Sequence, residues 1–272
     1  MKQNKINKYQ KISDKMVKIF DIFEASEGTL RPHFILTGPS GSGKSWTIKQ
    51  ICDIKKLNYI EVNAAALTKE GMSGNSLSKA LSPLNEAGTR LTVVFVDEFD
   101  KLFISGNSND SKAHESTTGV QNEFLKVLEG DSTQVFGDYG KYVTVKTSKV
   151  LFIFAGAFNN EDNINLQRLQ DIGLKTEFLG RVGLVFNIEK LSLNAMLEMV
   201  KDSNELKMYC ELYNTKHAKV VNDIQEAVKD TYKENQIGAR LISSLVTQYF
   251  INGGELSNNV VKNIEFKNKL EL

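Results

Sequence analysis

Cysteine, proline and histidine are scarce in this chain, and the scarcity narrows what it can be. The two cysteines, Cys52 and Cys210, lie far apart and outside any paired-cysteine motif. That excludes a disulfide framework and a thiolate zinc cluster, and it fits a reducing, cytoplasmic setting. With three prolines in 272 residues, at Pro32, Pro39 and Pro83, no proline-rich linker or polyproline module is present. The histidines, His33, His114 and His217, are scattered rather than clustered. No excess of one charge exists either, because 34 basic side chains meet 33 acidic ones, so no global field favours nucleic acid or a membrane surface. No apolar run approaches the roughly 20 residues of a membrane-spanning helix. The polar start, MKQNKINKYQKISDKMVK, lacks an apolar stretch, so no secretory signal is expected. Aromatic residues are not interleaved with Lys or Arg as in a base-stacking surface.

What is present is an ordinary globular composition, 41% hydrophobic and 25% charged, arranged with a clear period. Residues 1–13 read as a lysine-rich, solvated lead-in, with an electrostatic arm for nucleic acid or a partner as the sharper alternative. Ile12, Met16, Ile19, Phe20 and Phe23 fall at helical spacing. Short apolar runs at 33–37, 59–62, 92–97, 150–155 and 182–186 predict buried strands, and helical stretches between them predict a parallel sheet covered on both faces. A helix is expected over 75–89 and another over 119–129, with 105–118 a polar loop between strand and helix. A hairpin is expected through Gly137–Gly140, and residues 159–172 read as polar and Asn-rich. From Glu189 the pattern turns helical: Ser192 caps a helix to Val200, and others follow at about 204–213, 219–234 and 238–250, with β signal returning only at Val260–Phe266. The expected architecture is an α/β P-loop core over 1–188 and a helical lid domain over 189–272.

The strongest signal follows the first strand. Gly38-Pro39-Ser40-Gly41-Ser42-Gly43-Lys44-Ser45 matches the phosphate-binding Walker A pattern at every fixed position, between a strand and a helix. Glycines let the backbone turn so that successive N–H groups face phosphate oxygens. A helix N-terminus adds partial positive charge. Lys44 is placed to neutralise the β- and γ-phosphates of ATP, and Ser45 to ligate Mg2+. A plain Gly/Ser turn before a helix is the competing reading, but Lys-Ser at this offset serves no packing purpose. Trp46 reads as a packing residue.

A second signal, Val93-Val94-Phe95-Val96-Asp97-Glu98, is a buried strand ending in two carboxylates, the Walker B pattern. Asp97 would hold Mg2+ and Glu98 would polarise the attacking water. The pattern is weak alone and strong after a complete Walker A. Asp100 and Lys101 read as surface or local ion-pair residues.

Further stretches, in the same order, resemble the ClpX/HslU group of AAA+ unfoldases. Phe95–Leu102 resembles that group's Walker B. Leu67–Gly74 resembles its first pore loop, and Gly119–Gly130 the helix after its second. Thr147–Phe158 resembles the strand leading to sensor 1, where Asn159 is the nearest polar residue. Glu177–Val182 resembles the arginine-finger segment, and Gly238-Ala239-Arg240 the sensor 2 segment. These matches run from about residue 34 to 250. The resemblance implies that Arg181 reaches the nucleotide of a neighbouring subunit, that Arg240 touches the nucleotide of its own subunit, and that the active species is a ring, hexameric in type. The competing readings are a surface cation in a glycine-flanked turn for Arg181 and an ill-placed helix N-terminal cation for Arg240.

Three departures from the group bear on function. The expected pore-loop aromatic is Met72 here, apolar and adaptable but a looser grip. The short segment between Phe158 and Glu177 lacks the Gly-Phe loop that docks a protease. No stretch resembles a zinc-binding N-terminal domain. A protein remodeller or unfoldase without its own protease dock is therefore expected. A nucleic-acid-handling AAA+ protein, such as a replication initiator or helicase loader, and an ATP-controlled assembly switch stay open beside it. His114, within the second pore-loop region, is a candidate substrate contact.

Overall fold

A computed structural model of the chain describes residues 14–68, 75–103, 111–137, 140–254 and 256. The lysine-rich start, Met72 and its loop, the tip of the expected hairpin, and the segment around Val260–Phe266 lie outside these residues, as does the His114 side chain. Two compact units are present, Met1–Lys190 and Leu191–Leu272. Among the described residues, no helix is long and apolar enough to cross a membrane.

In the first unit, α1 (Asp14–Ala25) precedes β1 (Phe34–Thr37), α2 (Lys44–Lys55) and β2 (Asn58–Asn63). The short helices α3 (Leu77–Ala80) and α4 (Pro83–Ala87) lead to β3 (Thr92–Asp97). After α5 (Ser111–Glu129) comes an antiparallel hairpin, β4 (Ser132–Phe136) with β5 (Tyr142–Lys146). The unit closes with β6 (Val150–Gly156), α6 (Leu166–Asp171), α7 (Thr176–Arg181) and β7 (Leu184–Asn187). The sheet is parallel, in the order β2-β3-β6-β1-β7.

Period-two side-chain alternation between two covered faces explains why the central strands β1, β3 and β6 are almost wholly apolar, whereas the edge strand β2 carries the exposed Glu61 and Asn63. Ile35, Val94, Val96, Phe152 and Phe154 pack on one face with α5 and α7. Phe34, Leu36, Val93, Phe95, Leu151 and Ile153 pack on the other with α1 and α2. On the first face Phe99 stacks on Phe178 at 5.2 Å and meets Phe154 at 4.7 Å and Phe124 at 6.0 Å. Such aromatic pairs each contribute about 0.5–1.5 kcal/mol beyond burial. They tie the turn after β3 to α5 and to the helix that ends in Arg181.

Two sequence readings change here. Residues 111–118, read as loop, are helical backbone, so α5 starts eight residues earlier than its apolar period suggests. The 75–89 stretch is two short helices, because Pro83 at the first turn of α4 starts a new one.

The second unit is helical: α8 (Leu193–Asp202), α9 (Asn204–Leu212), α10 (His217–Thr231) and α11 (Arg240–Ile251). Ser192 Oγ accepts the Ala195 N–H, and Ser203 Oγ accepts that of Leu206. Both are side-chain caps of a helix N-terminus. Met196, Val200, Ile224, Val228, Leu245 and Val246 form its buried core.

Candidate functional site

Because β1, β3 and β6 are parallel, their carboxyl ends lie on one edge of the sheet. β6 stands between the other two, with Thr37 beside Gly156 and Val96 beside Phe154. At about 4.8 Å per strand, the ends of β1 and β3 are about 10 Å apart. The glycine-rich loop leaves β1 there, and the paired carboxylates leave β3.

The loop is built for close approach. Gly38 has φ +148°, and a Cβ at that position would collide with the Ile188 carbonyl oxygen. Gly43, at φ +86°, precedes α2 with no side-chain cap, and α2 has no acidic residue in its first turn. Its first N–H groups are therefore left for another acceptor. Lys44 Nζ donates to the Gly38 and Pro39 carbonyls at 2.7 and 3.0 Å, which holds the cation over its own loop. Ser45 lies half-buried in the first turn of α2, while Pro39, Ser40 and Gly41 are half-buried in the loop. Behind the loop, the Thr37 hydroxyl donates to Asn187 Oδ1 at 2.7 Å, and Asn187 Nδ2 donates to the Ile164 carbonyl at 3.0 Å. This polar link ties the loop's base to β7 and was not evident from the sequence.

Asp97 is half-buried at the end of β3, and Glu98 is exposed beside it. Glu98 adopts φ +55°, and its N–H donates to Asp97 Oδ1 at 2.9 Å. That left-handed residue turns the chain out of β3 and into the short turn that follows. Asp100 is neither a surface residue nor mainly an ion-pair residue. It is 1% exposed, its Oδ2 accepts the Phe158 N–H at 3.2 Å, and Lys101 approaches it only to 3.9 Å. After β6, the backbone at Phe158, Asn159 and Asn160 is left-handed, at φ +47°, +58° and +58°. It is Asn160, not Asn159, whose Oδ1 meets the loop, accepting the Ser40 N–H at 3.4 Å.

Arg181 lies at the other end of the sheet. It ends α7 just before β7, which starts level with Phe34. A cleft at that end is lined by Arg181, Arg31, Pro32, His33 and Leu128. Strand β1, about 13 Å long, stands between this end and the glycine-rich loop. Arg181 is 54% exposed and donates to Glu129 Oε1 at 3.1 Å. It belongs to a short helix rather than a bare turn. Arg240 is exposed at the first turn of α11, in the second unit. The turn before it is shaped by buried Asn235, which accepts the Ile237 N–H at 2.9 Å and donates to the Gly238 carbonyl at 3.1 Å. Trp46, expected to be packed, is 39% exposed.

The loop and carboxylates fit a nucleotide with a hard cation. The Ser42 and Thr47 hydroxyls are buried at the loop without a partner among the described residues. The uncapped start of α2 suits phosphate. Among the described residues, no group of three or more His, Cys, Asp or Glu is arranged to hold a metal. Ser45 and Asp97 offer two oxygens, the sparse donor set that suits Mg2+ completed by phosphates and water. Cys52 is no nucleophile here, since burial pushes its thiol up to about 12.

Comparison with known proteins agrees with this geometry. The profile of the ATPase family associated with various cellular activities (AAA) matches residues 34–172, just over half of the chain. The chain is 26% identical over 246 residues to the ATP-dependent Clp protease ATP-binding subunit ClpX 2 of Wolinella succinogenes, covering 77% of this chain and 62% of that protein. It is 27% identical over 262 residues to the ClpX subunit of Porphyromonas gingivalis, covering 79% and 64%. With ClpX of Bacteroides fragilis the identity is 26%, covering 79% and 63%. The chain thus spans about three-fifths of the length of these relatives. A phosphate cradle on β1, paired carboxylates on β3 and the family match over that same region make this chain an ATPase of the AAA family, similar within it to ClpX.

Proposed function

We propose that the chain binds ATP with Mg2+ at the carboxyl end of its sheet and hydrolyses it as one subunit of a ring, hexameric by similarity, that remodels or unfolds a protein substrate. The observation that carries the ring reading is the position of Arg181. It stands at the opposite end of β1 from the glycine-rich loop, so it is badly placed for its own nucleotide and exposed for a neighbour's. A head-to-tail interface that closes on itself delivers such a side chain to every site.

In this reading the loop N–H groups of Gly38–Ser45 and the first turn of α2 hold the phosphates. Lys44 leaves its two carbonyl partners to neutralise the β- and γ-oxygens. Ser45 and Asp97 hold Mg2+, which supplies charge neutralisation to the transferred phosphoryl group. Glu98, exposed beside Asp97, accepts a proton from the attacking water. Arg181 of the adjacent subunit stabilises charge at the γ-phosphate, and Arg240 senses the nucleotide from the lid of its own subunit. Met72 would line the pore and grip the substrate.

The test is the ATPase rate of the parent and of Arg181→Ala, each with its mass measured in ATP. The expected parent is a ring with turnover. Arg181→Ala should assemble and lose about 10³–10⁵-fold in rate. A monomeric parent whose rate ignores Arg181 would overturn the trans-acting mechanism. Unfolded protein and single-stranded DNA, added separately, then identify the substrate class. Acceleration by DNA alone would favour a nucleic-acid-handling role.

A further inference from the structure

The left-handed stretch after β6 stands apart because it opens on a bulky residue, Phe158, although the two asparagines that follow tolerate such backbone. Phe158, Asn159 and Asn160 all have positive φ, with Phe158 wholly buried. Left-handed backbone is mild for glycine and asparagine but costly for a bulky residue such as Phe158. It persists where the surroundings over-determine it. Here the turn is closed by the Asn160 N–H on the Ala157 carbonyl at 2.8 Å. It is pinned from the turn after the neighbouring strand β3 by Asp100, whose Oδ2 accepts the Phe158 N–H. Space for that carboxylate exists because residue 156 is glycine: a Cβ there would lie 2.5 Å from Asp100 Oδ1 and 2.8 Å from the Phe158 ring. A 1%-exposed carboxylate is expensive to bury unless hydrogen bonds hold it in place. Its effect is to fix a turn whose last residue touches the glycine-rich loop at Ser40.

We infer that Asp100 is a positioning residue for the nucleotide site: its buried carboxylate fixes the Phe158–Asn160 turn and thereby sets the Asn160 amide against the loop that cradles phosphate. The inference rests on the reading of that loop as the ATP site. The path runs from the turn after β3, through the end of β6, to the loop after β1. It therefore links the segment bearing Asp97 and Glu98 to the phosphate cradle without passing through the ligand. An ordered loop binds more tightly because less freedom is lost on binding.

ATP affinity, measured by equilibrium titration with Mg2+, tests this. Asn160→Ala should weaken ATP about fivefold, the contribution of one hydrogen bond. Asp100→Ala should weaken it by about the same factor, and the double variant by no more, because both act on one contact. Asp100→Asn, whose amide oxygen still accepts the Phe158 N–H, should bind as the parent does, as should Asn159→Ala. A purely structural Asp100 would lower the unfolding temperature of Asp100→Ala and leave affinity unchanged, or its loss would add to that of Asn160→Ala; either result overturns the inference. Unchanged affinity in Asn160→Ala overturns it alone, and that exposed position does not depend on Asp100→Ala folding. Lys44→Ala separates the two readings. If the parent binds no ATP, or Lys44→Ala binds it equally well, the cradle assignment fails. If Lys44→Ala loses ATP while Asn160→Ala does not, only the inference fails.

Discussion

Both ends of the parallel sheet contain left-handed backbone, and the reasons differ. At the amino end, Lys56 has φ +58° and stops α2, its N–H returning to the Asp53 and Cys52 carbonyls. Glu27 and Gly28 likewise follow α1, with the Gly28 N–H on the Phe23 carbonyl. These are helix stops of a common kind. At the carboxyl end, Glu98 and Phe158–Asn160 follow strands instead, and no helix needs ending there. Polar partners differ in the same way. At the amino end they finish the fold: Arg31 donates to the Thr147 carbonyl at 2.8 Å, and His33 Nδ1 accepts the Phe152 N–H at 3.0 Å. At the carboxyl end, the Ser42 hydroxyl and the first turn of α2 are left without side-chain partners among the described residues. One end of the sheet is closed by its own chain, and the other keeps its hydrogen-bonding capacity for a ligand.

A large effect is expected at the carboxyl end. Glu98→Gln removes the proton acceptor and keeps the shape. ATP should bind as in the parent while hydrolysis falls by about 10²–10⁴-fold. Single-turnover kinetics with bound nucleotide measures this, and hydrolysis at the parent rate would mean that the left-handed turn at Glu98 serves the fold alone.

A smaller effect belongs to the amino end. Burial, with Arg31 nearby, lowers the His33 pKa from 6.5 to about 3, so the folded chain holds the ring neutral as an acceptor. The unfolded chain binds a proton there below about pH 6.5 and the folded chain does not. Stability from this group is therefore full above pH 6.5 and is lost as pH falls towards the folded value. By pH 5 the loss should reach about 2 kcal/mol. Denaturant unfolding of the parent and of His33→Asn, which keeps an acceptor but does not titrate, measures it. Equal slopes between pH 7 and pH 5 would show that His33 titrates alike in both states.

How much of this contrast was legible in the sequence depends on how local its cause is. The central strands were readable because they are continuous apolar runs such as Val93–Val96, and the glycine-rich loop because its residues carry their reasons within eight positions. Short helices were not, since α7 has six residues, too few for a period to show, and Gly180 inside it looks like a turn signal. The polar, Ser- and Asn-rich run before Gly119 looked like loop for a similar reason: composition was the only cue, and the helix continues through 111–118 regardless. Asp100 was misplaced because an Asp-Lys pair is exposed in most proteins, and what buries it is the missing side chain of Gly156 on the adjacent strand. The choice between Asn159 and Asn160 turns on the handedness of a three-residue turn, which neither residue type dictates.

The smallest expected effect is the most discriminating for Arg181. Its partner Glu129 is 44% exposed and Arg181 54%, so the pair is bathed in water and contributes about 0–1 kcal/mol to folding. If Arg181 serves a neighbour's nucleotide, Glu129 only biases where the guanidinium points. Glu129→Gln should then shift the unfolding midpoint little and change the ATPase rate by less than about fivefold, against about 10³–10⁵ for Arg181→Ala. The direction of that small change is informative. A rise in rate would mean that Glu129 holds Arg181 back from the adjacent site, and a fall would mean that it keeps the side chain extended towards it. Either shift should shrink at high salt, where exposed pairs are screened. A loss with Glu129→Gln as large as that with Arg181→Ala would instead make the pair one functional unit, and the amino end of the sheet would then be a second part of the reaction machinery rather than a surface that presents a single cation.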